Sequence, residues 1–162
     1  MRQTPGMADG TDGEGWLRAR LVEDALRWAE QFGVAPGITG AISEYDAAVR
    51  IVGMTEEEYA LDCRTHTAVT KGYDFTHNDR RYQVKANRAS GKPGSNPTLL
   101  SKVSNHEWDI LLWLRYDPGY VLQEAWEWPR DRFIRELGHK ERLRPNDIRK
   151  GRCVYEAPKT SS

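Results

Sequence analysis

Three residue types that together suit metal-assisted hydrolysis stand close in this chain: the acid Asp74, the amide Gln83 and the amine Lys85. Gly72-Tyr73-Asp74-Phe75, a five-residue polar turn over Thr76–Arg80, and Arg81-Tyr82-Gln83-Val84-Lys85-Ala86-Asn87 read as a β-hairpin. Side chains alternate between faces along a strand, so Tyr82, Val84 and Ala86 point one way and Arg81, Gln83, Lys85 and Asn87 the other. Asp74, flanked by Tyr73 and Phe75, then lies on the face opposite its aromatic neighbours and meets Gln83 and Lys85 across the pair. A carboxylate and an amide oxygen can hold a hard cation, and an ammonium beside them can stabilise a developing oxyanion. The pattern predicts a site that binds a metal and activates water.

The elements that must position these groups follow from periodicity. From Trp16 to Phe32 apolar residues recur at helical spacing, with Gly33 as the stop. Residues 36–40 read as a linker with Thr39 as N-cap, and Ile42, Tyr45, Ala48, Val49 and Val52 form the stripe of a second helix over 41–52. Thr55 with Glu58 three residues on is a capping box that opens a short third helix. Residues 87–101, dense in Gly, Pro, Ser and Asn, exceed a simple turn and read as a functional or mobile loop. Trp108–Tyr116 is a nearly unbroken apolar run, expected as a central strand covered on both faces. Asp117-Pro118-Gly119 turns into a strand over 120–128, Pro129 opens a final helix to Leu137, and Cys153-Val154-Tyr155 adds an edge strand. The order is helices, then strands, then a helix, which predicts an α/β fold of α+β-like order whose core sheet is built around that central strand. It forms one domain over 16–157, between a disordered leader at 1–15 and a polar tail at 158–162.

Composition narrows the partners. No run approaches the roughly 20 apolar residues that span a bilayer, and the first residues lack the apolar block of a secretory signal, so no membrane partner and a cytoplasmic location are expected. Cys63 and Cys153 are far apart with no ligand pattern around them, which argues for reduced thiols and against a zinc site. The net charge of zero hides an asymmetry: residues 1–62 hold 12 acids and 5 bases, and residues 63–162 hold 12 acids and 19 bases. Arg81, Asn87, Arg88, Lys92 and Lys102, around the long loop, are candidate contacts to a phosphate backbone, and the nine bases from Arg130 to Arg152 are a second group. There is no Gly-rich phosphate loop followed by Lys-Ser or Lys-Thr and no Gly-x-Ser-x-Gly elbow, which leaves no support for a nucleotide cofactor or a serine hydrolase.

Asp74, then Gln83-Val84-Lys85, then an apolar strand followed by a further strand and helix, with Ser43-Glu44-Tyr45 on the preceding helix, resembles the PD-(D/E)xK nuclease superfamily over roughly residues 40–137. Gln83 stands where an acid is commoner in that family. The resemblance implies a restriction-endonuclease-like fold, a mixed central sheet flanked by helices. It also implies Mg2+, replaceable by Mn2+, held by Asp74, the Gln83 oxygen and Glu44, with Lys85 orienting the attacking water. The implied activity is a metal-dependent phosphodiesterase, an endonuclease on DNA in a restriction, defence or repair setting, working as a homodimer if both strands are cut. The alternative expectation is a catalytically inactive module of the same fold that binds nucleic acid or a protein partner.

Overall fold

The computed structural model describes residues 13–66, 72–93, 100 and 102–160. The rest of the expected leader, loop and tail, at 1–12, 94–99, 101 and 161–162, lies outside the described residues, as do residues 67–71. The chain forms two compact units, Met1–Pro36 and Gly37–Ser162.

Among its described residues the first unit holds one helix, α1 (Trp16–Phe32), bounded by Gly15 and Gly33, both in the left-handed region. On its polar face Glu23 pairs with Arg20 and Arg27 one turn away on either side.

The second unit is a five-stranded mixed sheet with helices. Its elements run α2 (Thr39–Tyr45), a π-helical turn (Asp46–Val52), α3 (Glu56–Thr65), β1 (Phe75–His77), β2 (Arg80–Arg88), β3 (Ile110–Tyr116), β4 (Leu122–Pro129), α4 (Arg130–Leu137), α5 (Pro145–Ile148) and β5 (Arg152–Glu156). The strands lie in sequence order; β2 and β3 are parallel, and every other neighbouring pair is antiparallel. Parallel neighbours need a long crossover, so residues 89–109 have a topological reason for their length.

β3 is central and buried along almost its whole length, as its unbroken apolar run requires. One face of the sheet packs Leu111, Trp113 and Trp128 against Phe133 and Leu137 of α4, Leu143, and Ile148 of α5. On the opposite face α2 and its π-helical continuation are tied down by a fully buried hydrogen bond, in which Tyr116 Oη donates to Asp46 Oδ2 at 2.7 Å.

Several local expectations are corrected. Ile38 holds the N-cap position of α2 and Thr39 is its first residue, with no side-chain cap. The expected second helix changes at Asp46 to π-helical hydrogen bonding, which shifts its lower half in phase and buries Asp46, Ala47, Ala48 and Val49 together. The hairpin turn has two residues, because Asn78 and Asp79 both adopt positive φ (49° and 61°), as a tight primed turn demands. Pro129 caps α4 from outside its first turn. The capping box at Thr55 is present in both directions, with Glu58 N donating to Thr55 Oγ1 and Thr55 N to Glu58 Oε2.

Tyr116→Phe leaves the buried Asp46 carboxylate short of one donor and is expected to cost about 1–3 kcal/mol of stability. Urea unfolding should show a lower midpoint at unchanged slope.

Candidate active site

The site begins at a backbone position that only glycine fits. Gly72 has φ +97°, and a Cβ there would collide with the Glu107 side chain. The chain then brings Asp74 to the end of the β1–β2 ladder, where Asp74 N donates to Tyr82 O at 2.7 Å. The ladder itself covers Phe75–His77 against Arg80–Tyr82, so the next amide along that edge of β2 meets a side chain instead of a strand. Val84 N donates to Asp74 Oδ2 at 2.6 Å, and Gln83 Nε2 donates to the same oxygen at 2.8 Å. Oδ1 accepts from none of the described residues. Burial pushes the Asp74 carboxyl pKa up, against the opposing pull of the Val84 amide and the nearby Lys85 charge.

Glu44 reaches the same place from the last turn of α2. Burial and then the charge of Asp74 push its pKa up to about 7, so the two carboxylates are close enough to resist ionising together. The structure joins Gln83 on β2 to Asp74, before β1, by a hydrogen bond, and sets Glu44 of α2 and Lys85 of β2 within electrostatic reach of that carboxylate. It adds a fifth, Tyr59 of α3, whose phenol is pushed far up by burial, the neighbouring Cys63 thiol, Glu44 and Asp74. Nothing in the local sequence marks Tyr59, since a tyrosine on a helix is ordinarily a packing residue. Only the placement of α3 against β1 brings it in, held by Asp62, which accepts from Thr76 N and Oγ1 at 3.2 and 2.5 Å.

The expected nucleic-acid contacts fare differently. Arg81 is spent on Asp109: its backbone N, Nε and Nη2 donate to that carboxylate at 2.8, 3.2 and 3.2 Å. Asn87 Oδ1 accepts from Trp113 Nε1 at 2.7 Å. Arg88 donates through Nε and Nη2 to Pro118 O and lies 4.1 Å from the centre of the Tyr120 ring. Lys92 is exposed. Lys102 is exposed as well and lines a separate cavity of about 260 Å³ with Phe133 and Leu137 of α4.

Among the described residues no group of three or more His, Cys, Asp or Glu side chains is placed to share an ion. The donor set here is sparser: two carboxylates, one amide oxygen and a neighbouring ammonium. Magnesium suits such a set, because it takes hard oxygens, keeps much of its water and commonly uses only one or two carboxylates. A bound divalent cation would also offset the burial and the Asp74 charge that hold the Glu44 proton. No protein-family model and no curated protein matches this chain.

The Glu44 shift has a sign that can be tested without any metal. Its folded-state pKa lies above the unfolded value, so ionising it opposes folding; the cost is absent below pH 4.5 and complete above about pH 7. Glu44→Gln is expected to raise the melting temperature at pH 8 and to lose that advantage at pH 4.5, as read by thermal unfolding in the presence of a chelator.

Proposed function

We propose that this protein is a magnesium-dependent nuclease that hydrolyses phosphodiester bonds in DNA, with its site at Asp74, Glu44, Gln83 and Lys85. The observation that carries the reading is the convergence of these four side chains from three separate elements, with Asp74 immediately before one strand and Gln83-Val84-Lys85 on its partner. That arrangement supports the resemblance to the PD-(D/E)xK superfamily and its restriction-endonuclease-like fold.

Each residue has a part that follows from its contacts. Val84 N and Gln83 Nε2 fix Asp74 through Oδ2 and leave Oδ1 for a cation. With Nε2 turned to Asp74, Gln83 offers its Oε1 as a neutral third oxygen, and Glu44 supplies the second carboxylate. When bound, the cation would supply Lewis acidity, lowering the pKa of a water and drawing charge from the phosphate. Lys85 lies close enough for its charge to act on Asp74, and it stabilises the negative charge that builds on the phosphate oxygens. Lys92 and Lys102 remain exposed as backbone contacts, whereas Arg81 and Arg88 hold the scaffold. Cutting both strands of a duplex calls for two such sites, and hence a homodimer.

Purified protein incubated with supercoiled plasmid, single-stranded DNA and RNA should cut DNA only when Mg2+ or Mn2+ is present. Asp74→Ala should abolish cutting, and Lys85→Ala should slow it by at least ~100-fold, the scale on which one charge-stabilising donor acts. A folded protein that binds DNA yet cuts nothing under any condition would instead identify a non-catalytic binding module.

A further inference from the structure

Among the described residues ten large hydrophobic side chains are exposed, and seven of them lie between Trp16 and Val34. Four of the seven form a stripe on α1: Leu17, Leu21, Trp28 and Phe32, exposed by 73%, 40%, 54% and 62%. At 3.6 residues per turn they fall within about 60° of one another around the helix axis. Trp28 and Phe32 are in ring contact at 4.6 Å, so one end of the stripe is a preformed aromatic pair. A contiguous exposed apolar patch of this kind marks an interaction surface.

The charges and spacing of α1 decide among its occupants. Arg18, Arg20 and Arg27 balance Glu23, Asp24 and Glu30. A helix that lies on anionic lipid has a polar face rich in Lys and Arg, and a surface that follows a phosphate backbone is basic, so neither ligand is favoured. The spacing favours a second copy. In an antiparallel helix pair, residues face each other when their numbers add to a constant. Leu17 with Phe32 and Leu21 with Trp28 both add to 49, so a two-fold axis between Asp24 and Ala25 sets all four apolar residues against those of the other copy. Asp24 and Arg27 stand on one flank of the stripe, and the same axis brings Asp24 of each copy within about 3 Å, along the helix, of the level of Arg27 in the other. Asp24 has no hydrogen bond or ion pair among the described residues. Arg27 donates to Glu23 Oε1 at 2.6 Å and keeps further N–H groups for a second carboxylate. A parallel pair in register would set Asp24 beside Asp24. We propose that α1 is a homodimerisation surface, pairing antiparallel with α1 of a second copy about an axis between Asp24 and Ala25. The inference gives the homodimer named above its contact, but it stands on α1 alone and not on the metal site.

One helix face is smaller than the roughly 800 Å² per partner of a standard interface, so the dimer should be weak and reversible. The test is sedimentation equilibrium of the full chain at micromolar concentrations, with a chelator and without nucleic acid, for wild type, Trp28→Glu, Asp24→Arg and Arg27→Asp. Wild type should be a concentration-dependent mixture of monomer and dimer. Trp28→Glu should raise the dimer dissociation constant at least ~30-fold, the scale of an aromatic hot spot. Its melting temperature in dilute samples should match wild type, because the side chain is exposed. Asp24→Arg and Arg27→Asp should each weaken self-association. An equimolar mixture of those two should dimerise as tightly as wild type, since the mixed pair restores two contacts of opposite charge. Wild type that stays monomeric, a dimer unmoved by Trp28→Glu, or no recovery in the mixture would overturn the inference. So would a monomer that sediments with phosphatidylserine vesicles, which would assign the stripe to a membrane surface. A dimer dispersed by Trp28→Glu in a protein that cuts no substrate would uphold the role of α1 and refute the nuclease.

Discussion

Where β1 stops, the Val84 amide on the adjacent edge of β2 needs an acceptor, and a buried strand amide without one costs ~1–3 kcal/mol. The Asp74 side chain fills that place through Oδ2, at 2.6 Å. The same oxygen takes the Gln83 amide, so one carboxylate both finishes the sheet and begins the site. Everything nearby depends on that double duty. Gly72 must have a positive φ to bring the chain in, and the two-residue turn at Asn78 and Asp79 must keep the pairing short enough to release Asp74 from it. A longer β1 would place a backbone carbonyl where the carboxylate now sits.

The second carboxylate is brought in at an electrostatic cost. Glu44 sits half-buried beside another acid, and its pKa near 7 measures how unwelcome its charge is in the folded chain without a cation. A helix end with freedom to drift would relieve this by moving outward. Here the π-helical turn that follows is pinned two residues later by the buried Asp46–Tyr116 hydrogen bond, and Tyr116 belongs to the central strand. The destabilised pair is thus held together by a core contact on the far side of the same helical segment, a common relation between functional sites and their supporting scaffold.

The basic residues divide between scaffold and surface. Arg81 and Arg130 converge on Asp109 where β2, β3 and α4 meet, and Arg115 and Arg149 share Glu124 across β3 and β4. These arginines lie among 19 bases in the second part of the sequence, so the count of positive charge overstates what a phosphate backbone can find. The long segment after β2 is similarly explained in large part by geometry, since it carries the chain from the end of one strand to the start of its parallel neighbour.

The sequence by itself determined most of the elements and their order, but not the short α5. Apolar periodicity marked α1, the buried run at Ile110–Tyr116 and the strand at Leu122–Pro129, and local cap chemistry marked α3, because these signals depend only on neighbours a few residues away. It also marked Asp74, Gln83 and Lys85, since a short hairpin brings its own residues together. What it could not determine was set by distant contacts: the parallel pairing of β2 with β3, the π-helical phase shift at Asp46, and the contacts that commit Arg81 to Asp109 and Arg88 to the Pro118 carbonyl and the Tyr120 ring. Tyr59 belongs to this second group. Its place comes from α3 docking on β1 through Asp62 and Thr76, and side-chain position across a docked interface is a property of the packed fold that no local pattern encodes.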